Sequence, residues 1–352
     1  MKAVVFHAKQ DLRIEDVAEP TPLPGQVKLK NAHVGICGTD LHVYYDPDTC
    51  GSDFSKPHPI TGAQPPQILG HEFSGTVVEV GDGVEDLKVG DRVAAWPIYH
   101  CGTCHPCLTG RPAGCTTAGF HGLTSHGGGL ATYTTLKATQ CFKLPDSVDL
   151  RLGALVEPMS VGWRAVRRSG AGKGSRALVI GAGPIGISVF IALREHGVED
   201  IFVSEPSAMR RAAIAGVGAT HVIDPMSTDL AKAIADLTGG AGVDFVFDAA
   251  GIVAALDQGI SLLAPGGSAV IIGVHSTTMI VDPLTLLLRE ITIGGSCAYD
   301  RQDFAEVIEA MSRGVYDPTG WVADVAFNDV ESTIVALHSG QGVKALVTIG
   351  ED

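Results

Sequence analysis

Ser175–Pro206 reads SRALVIGAGPIGISVFIALREHGVEDIFVSEP. It opens on an apolar run, Ala177–Ile180, of the length of a buried parallel strand. Glycines follow at Gly181, Gly183 and Gly186 in the pattern G-A-G-P-I-G. A helical stripe of Ile187, Phe190 and Leu193 then runs to Gly197, and a second apolar run, Ile201–Val203, ends on Glu205, nineteen residues after Gly186. Each part has a job in holding a dinucleotide. Gly181 permits the tight turn, Gly183 lets the backbone approach a pyrophosphate, and Gly186 packs helix against strand. Pro184 and Ile185 complete the cofactor-binding turn, where unpaired N–H groups and the helix dipole favour an anion. Glu205 can accept both ribose hydroxyls of an adenosine and repels a 2′-phosphate, which argues for NAD over NADP. Ser207, Arg210 and Arg211 are nonetheless placed to help a phosphate. A lone G-x-G-x-x-G is weak in a chain with 44 glycines; strand, helix, second strand and acid in register make it specific.

At 352 residues the chain is long enough for two domains with proper cores. Its formal net charge of −14 excludes nucleic acid and anionic membrane as natural partners, since both want a basic face. No segment reaches the roughly 18 uninterrupted apolar residues of a membrane span. The opening MKAVVFHAKQ lacks the apolar core and cleavage site of a signal peptide, so a soluble, cytoplasmic protein is expected. Eight cysteines are too few for a disulfide scaffold, and four lie between Cys101 and Cys115, as in a metal site.

Up to about residue 155 the pattern is mostly β, with short alternating runs at Lys2–His7, Gln26–Val34, Phe73–Val80, Arg92–Trp96 and Ala131–Leu136. From about 160 to 296 strands alternate with helices, as in a parallel sheet with crossover helices. Six strands are expected there: Ala177–Ile180, Ile201–Ser204, His221–Ile223, Val243–Phe247, Ser268–Gly273 and Ile291–Gly294. The tail should carry helices near 302–313 and 329–338 and a last strand, Ala345–Ile349. The loop Tyr44–Pro66 has little periodicity and five prolines. Structureless loops of this length are usually functional or disordered, and a substrate-pocket wall is the favoured reading.

Cys101, Cys104, Cys107 and Cys115 form C-x2-C-x2-C-x7-C. Four thiolates on short turns can close around a structural zinc with no open position. Iron–sulfur ligation also uses closely spaced cysteines, but the surrounding chain has no other redox feature. A second set is spread out: Cys37 in GICGTDLH, His71 and Glu72 in LGHEFSG, and Glu157 in LVEPMSV. Separated Cys, His and carboxylate ligands are what a catalytic zinc needs. Singly, each has an ordinary explanation, since a buried Cys is usually a small hydrophobe.

The chain resembles the zinc-containing medium-chain alcohol/polyol dehydrogenase family from end to end. The resemblance is carried by Gly35–His42 (G-I-C-G-T-D-L-H), Gly70–Gly81 (G-H-E-F-S-G-T-V-V-E-V-G), Gly90–Val93 (G-D-R-V), the four-cysteine lobe and G-A-G-P-I-G, in the family's order. It implies an α/β protein with a GroES-like, mostly-β catalytic domain over 1–158 and 295–352. A Rossmann doubly wound parallel-sheet domain, binding NAD, would span 159–294. It implies two zincs per chain, with Cys37 and His71 as ligands of the catalytic one. Glu157 falls where the polyol, threonine and butanediol branches carry glutamate, and in those branches Glu72 can also bind the metal; which of the two is the direct ligand stays open. Gly273 and Val274, and Ser296 with Cys297, resemble the segments that flank the nicotinamide, and Arg210 would lie along the adenine ribose. Cys50, Cys141 and Cys297 match no ligand position.

Three further stretches resemble the (R,R)-2,3-butanediol dehydrogenase branch: Lys56–Gly62 with Ile68–Gly75, Ala118–Tyr133, and Ser204–Ser207. The resemblance implies oxidation of an alcohol at a zinc Lewis acid, with hydride passing to the nicotinamide. Thr39 would take the hydroxyl proton and pass it through the ribose to His42, an imidazole able to titrate near neutrality. The first reading is therefore a vicinal-diol dehydrogenase interconverting 2,3-butanediol and acetoin. A rival keeps the chemistry on sorbitol-like polyols or L-threonine. A rival of another class binds dinucleotide without catalysis; the presence of Cys37, Thr39, His42, His71, Glu72 and Glu157 together speaks against it. The expected partners are a small-molecule alcohol or diol and further copies of the chain, as homodimer or homotetramer. Ser268–Gly273 and Leu284–Ile293 are more apolar than one sheet edge needs, and members of the family are dimers or tetramers.

Overall fold

The six apolar runs between 176 and 295 form a single parallel sheet in the computed structural model, which describes residues 1–49 and 53–350. The strands are Arg176–Ile180, Asp200–Ser204, His221–Ile223, Val243–Asp248, Leu263–Ile271 and Thr292–Gly295. Their spatial order is third, second, first, fourth, fifth, sixth, so the direction of progression reverses between the first and fourth strands. Ligands bind such sheets at the carboxyl ends beside that reversal. Leu178, Val179, Val246 and Phe247 are fully buried, as expected for strands covered by helices on both faces. Leu263–Ile271 starts earlier than the apolar pattern indicates because the turn-like stretch Ala264–Gly267 (A-P-G-G) still belongs to it; the pairing register shifts between Val243 and Phe245.

This sheet lies in one of two compact units, Pro158–Tyr299 with Thr319–Trp321. Residues 295–299, expected in the other domain, belong here because Gly295 still pairs with Ile271 and Ser296 N–H donates to Ile271 O.

The other unit is Met1–Glu157, Asp300–Pro318 and Val322–Asp352. Its main sheet is built on the long strand Gln26–Ile36. Glu72–Val80 pairs with it antiparallel on one side, continuing to Arg92–Ala95 and Cys141–Lys143. Lys344–Thr348 pairs on the other side and continues to Val322–Ala326, while Tyr133–Lys137 pairs with the first half of the long strand. Val27, Leu29, Val34, Phe73, Val77 and Val93 fill the core beneath it. The tail helices are Arg301–Ser312 and Val330–His338. Among the described residues, six strands have no counterpart in the sequence pattern. Gln67–Ile68, Ile98–Tyr99, Gly119–Phe120 and Cys141–Lys143 are only two or three residues long. Asp11–Asp16 and Val322–Ala326 carry charges and are largely half-exposed or exposed, so no apolar run announces them.

The loop Tyr44–Pro66 is less bare than expected. Tyr44 and Tyr45 end the helix Gly38–Tyr45, and Pro47–Thr49 form a single 3-10 turn. Cys50–Ser52 lie outside the described residues. Among the described residues no helix is long and apolar enough to cross a membrane.

Candidate active site

Strand register brings Cys37, His71 and Glu72 together. Gly35 faces Glu72 across one strand pair and Leu346 across the other, so Cys37, just past the end of its strand, emerges between Glu72 and Lys344. A thiol, an imidazole nitrogen and a carboxylate oxygen of the three residues lie within 4.8 Å of one another. Cys, His and carboxylate in a buried place are the donor set of a zinc site that keeps a fourth position for substrate. A Cβ on Gly35 would collide with Glu72 Oε2, so only glycine leaves room for this arrangement.

The surroundings suit a cation. Cys37 caps the helix Gly38–Tyr45, and its N–H donates to Asp40 Oδ2 at 2.8 Å, the reciprocal half of a capping box. The other Asp40 oxygen is 3.6 Å from His71 Nδ1, an ion-pair distance rather than a hydrogen bond. A carboxylate behind the imidazole is the usual companion of a metal-binding histidine. Burial pushes the Cys37 thiol pKa up, and the Glu72 charge adds to the effect. For His71 burial opposes the charge, but Asp40 and Cys37 outweigh it and hold its pKa well above the ordinary histidine value. Lys344, equally buried, donates to Glu72 Oε2 and to Ile36 O, and burial of its ammonium is likewise outweighed, chiefly by Glu72 and Cys37, so its pKa is raised.

Thr39 Oγ1 is 3.6 Å from Cys37 Sγ, and His42, three residues on along the same helix, is exposed. Glu157, in the first turn of Val156–Ser169, is buried and contributes to raising the Lys344 pKa, but it stands outside the three-residue cluster. Two of the stretches singled out in the sequence are joined beside His71. His58 Nε2 donates to Ala118 O at 3.2 Å, Thr61 Oγ1 donates to Thr124 O, and Gln67 Nε2 donates to Leu123 O. Phe120 meets the His71 ring edge-on at 6.4 Å, and a Cβ on Gly122 would collide with Gly70 O. Behind them His121 bonds Tyr99 Oη at 2.9 Å and Thr134 Oγ1 at 2.7 Å, and burial drives its pKa down to about 3.

Cys101, Cys104, Cys107 and Cys115 form the second cluster. Their sulfurs are 3.5 Å apart between Cys104 and Cys107, 3.6 Å between Cys115 and Cys101, and 4.0 Å between Cys101 and Cys107. A tetrahedron with Zn–S bonds of about 2.3 Å has edges of roughly 3.8 Å, whereas a disulfide needs about 2.05 Å. Hydrogen bonds from the Thr103 side chain and from the Thr103 and Cys104 N–H groups lower the Cys101 pKa to about 5 and favour its thiolate, while burial and the neighbouring Cys104 thiol raise that of Cys107 to about 12. Cys141 is buried, with its pKa raised to about 12, and Cys297 is exposed.

In the parallel-sheet unit Gly181 has φ +94°, in the region that favours glycine. Gly183 caps Pro184–Glu195 with no side-chain hydrogen bond, and a Cβ there would meet nothing within 4 Å, so the backbone is open to close approach at Gly183. A Cβ on Gly186 would collide with the Gly181 carbonyl, while the strand residue Val179 is 3.7 Å away; this glycine closes the turn more than it packs the strand. Glu205 is buried and anchored, with Oε2 accepting Ala182 N–H and Oε1 accepting Ser207 N–H, both at 2.7 Å. Arg210 Nε is buried without a partner, whereas Arg211 is committed to Glu205 O, Pro206 O and Asp224. Beyond the fifth strand, Gly273 is followed by the exposed Val274, and Ser296 is buried with its hydroxyl unpartnered. An uncapped helix start, an open backbone at Gly183 and an orphaned hydroxyl fit a dinucleotide.

Two residues that flank the metal cluster, Asp40 beside His71 and Lys344 beside Glu72, escape the sequence reading. Asp40 lies inside the quoted GICGTDLH, and its signal is its place three residues after Cys37, where a helix turn returns its carboxylate to the Cys37 N–H. Lys344 is a charged residue opening a buried strand, K-A-L-V-T, which demands an acid partner.

Residues 23–146 match the alcohol dehydrogenase GroES-like domain, and residues 184–313 the zinc-binding dehydrogenase domain. The chain is 40% identical over 324 residues to the (R,R)-butanediol dehydrogenase of Bacillus subtilis (strain 168), covering 90% of this chain and 89% of that one. It is 33% identical over 327 residues to a sorbitol dehydrogenase of the same organism, covering 92% and 89%. Its fold superposes on the crystal structure of 2R,3R-butanediol dehydrogenase from Bacillus subtilis with a TM-score of 0.92, at 37% identity and 99% coverage of both chains.

Proposed function

This chain belongs to the zinc-containing medium-chain alcohol dehydrogenase family, and we propose that it is an NAD-dependent enzyme interconverting a vicinal diol and its hydroxyketone, with (R,R)-2,3-butanediol and acetoin as the pair. The observation that carries the proposal is the Cys37–His71–Glu72 cluster with Lys56–Gly62 and Ala118–Thr124 docked on each other beside it. Cys37 and His71 would hold a zinc, with Glu72 or Glu157 as third ligand, and the four-cysteine lobe would hold a second. When bound, the first zinc supplies Lewis-acid polarisation of a hydroxyl and NAD supplies the hydride acceptor. Thr39 Oγ1 would take the hydroxyl proton, and His42, exposed on the same helix one turn on, would release it to solvent. Phe120 would wall the pocket on the His71 side, with the 53–66 segment behind it. In the other unit, Gly181, Gly183, Pro184, Ile185 and Gly186 would hold the pyrophosphate, Glu205 and Arg210 the adenine ribose, and Gly273, Val274 and Ser296 the nicotinamide. The likeness to a sorbitol dehydrogenase supports a second reading, oxidation of longer polyols at the same metal.

The deciding experiment is NADH formation with the three 2,3-butanediol stereoisomers, sorbitol, L-threonine and a primary alcohol at matched concentrations. Preference for the (R,R) isomer supports the proposal. If sorbitol or threonine turns over faster, the diol reading falls and the metal chemistry stands.

A further inference from the structure

One buried side chain ties together the carboxyl ends of two strands in the parallel sheet. Asp248 ends the fourth strand, next to the first, and is fully buried. Its Oδ1 accepts the N–H groups of Ala250 and Gly251, each at 3.1 Å. Its Oδ2 lies 2.6 Å from His275 Nε2. An ionised carboxylate only accepts, so Nε2 carries the proton and donates. The main-chain oxygen of Asp248 accepts from Ile272 and Gly273, each at 2.9 Å. A single residue therefore fixes both the turn 249–251 and the segment 272–275.

Those two segments are pressed together. A Cβ on Gly273 would collide with Gly251 N, and one on Gly251 with Val274 O. The turn also reaches the glycine loop, since a Cβ on Gly181 would lie 3.2 Å from the Ala250 Cβ. Val274 sits between the constrained Gly273 and His275, yet its own side chain is 66% exposed. An apolar side chain so exposed has little packing to hold it. Its place is set by the backbone on either side: Gly273 is held by close approach, and His275 by a charge-assisted bond to a buried acid, among the stronger kinds of hydrogen bond.

We propose that His275 is a positioning residue for the nicotinamide half of the cofactor: its bond to Asp248 holds Val274 where the ring docks. The inference rests on the reading of this unit as a dinucleotide site. The adenosine and pyrophosphate halves lie against Gly181–Gly186 and Glu205 in that reading, so they do not depend on His275.

The test compares His275→Gln with His275→Asn. The glutamine amide nitrogen can stand where Nε2 stands and donate to Asp248; the asparagine nitrogen, one methylene shorter, cannot reach. Binding of NADH and of ADP-ribose, which lacks the nicotinamide, is measured by calorimetry on the full-length zinc-replete protein. His275→Asn should bind NADH roughly tenfold more weakly, the scale of a lost hydrogen bond to a charged group. It should bind ADP-ribose as the parent does, and His275→Gln should keep NADH affinity within about threefold of it. Equal behaviour of the two variants overturns the proposal, as does a parallel loss of both ligands, which would mark general damage to the unit. If the parent protein binds neither ligand, the dinucleotide reading fails first and takes the proposal with it.

Discussion

Replacing Lys344 with methionine removes one partner of an ion pair in which both side chains are almost completely buried, at 2% and 1% exposure. The pair bridges the long central strand, Lys344 entering from one neighbouring strand and Glu72 from the other. Removing the ammonium strands the Glu72 carboxylate next to Cys37. Breaking a buried pair in this way costs about 3–5 kcal/mol, a large part of a total stability on the order of 5–15 kcal/mol. Removing both charges is different in kind: Lys344→Met with Glu72→Leu should fall within about 1 kcal/mol of the parent, because nothing charged is left without a partner. Zinc changes the outcome for the single variant. A divalent ion held by Cys37 and His71 offers Glu72 a second cationic partner, so zinc-replete Lys344→Met should lose less than half of what the chelated protein loses. Amide hydrogen exchange across Gln26–Ile36 reads this unit alone, with and without chelator. The reasoning is refuted if chelated Lys344→Met stays within about 1 kcal/mol of the parent, the scale of an exposed pair, or if zinc makes no difference. The raised Lys344 pKa adds a sign. Its contribution is complete below the unfolded lysine value of about 10.4 and is lost only as pH rises through the higher folded value, so the difference between variants should be flat from about pH 7 to 9.

Glu205→Gln removes the charge that faces a 2′-phosphate and keeps one of the two bonds to backbone N–H, since an amide has a single acceptor oxygen. The NAD-to-NADP ratio of kcat/KM should therefore fall by roughly tenfold; an unchanged ratio would count against the ribose role. His121 is held neutral, its pKa driven by burial to about 3. Stability tied to it is complete above the unfolded value of about 6.5 and declines as pH falls towards 3, by up to about 1.4 kcal/mol per unit. His121→Gln should flatten that slope in urea midpoints taken between pH 7 and 4, and parallel curves for the two proteins would remove His121 from the account. We propose that a second copy of the chain covers the exposed Leu284, Leu287 and Leu288 on the helix Pro283–Arg289, which precedes the edge strand Thr292–Gly295. Sedimentation should give a dimer or tetramer, reduced to a smaller species by Leu287→Glu with Leu288→Glu; a monomeric parent would sink this idea.

What could be read from the chain alone follows from the range over which each feature is encoded. The parallel sheet was legible because strands buried on both faces are continuous apolar runs, as at Ala177–Ile180. The glycine turn and the four-cysteine lobe were legible because their ligand-holding parts lie within a few turns of chain, Cys101 to Cys115 in the second case. The link between Lys56–Gly62 and Ala118–Tyr133 surfaced only as a shared resemblance; its physical content is His58 and Thr61 bonding to backbone some sixty residues away. The Lys344–Glu72 pair spans 272 residues and depends on two strands choosing the same neighbour, which no local pattern records. His275 with Asp248 is hidden for the same reason, since its 27-residue separation becomes a contact only when the fourth and fifth strands lie side by side.

Charge balance carries the metal argument further than ligand spacing does. Buried charges are paired or bind metal. Around Gly35 the protein buries Asp40 and Glu72 against Lys344 and His71, with the Cys37 thiol beside them. Two carboxylates, an ammonium and a protonated imidazole sum to zero if the thiol keeps its proton, which agrees with the upward shifts of His71 and Cys37. A divalent ion in the same place requires a thiolate and a neutral imidazole. The sum is then again zero, because two positive charges enter as two protons leave. These five side chains therefore carry the same net charge with or without zinc, and exchanging one zinc for two protons is the step that keeps it so. The buried Glu157 near Lys344 adds its charge to both states. Titrating zinc into chelator-stripped protein, in buffers of different ionisation enthalpy, should release about two protons for the ion taken up at Cys37 and His71. The four-cysteine lobe is subtracted with a Cys37→Ser/His71→Gln variant. No difference in proton release between the two proteins would mean that these side chains do not exchange protons for metal.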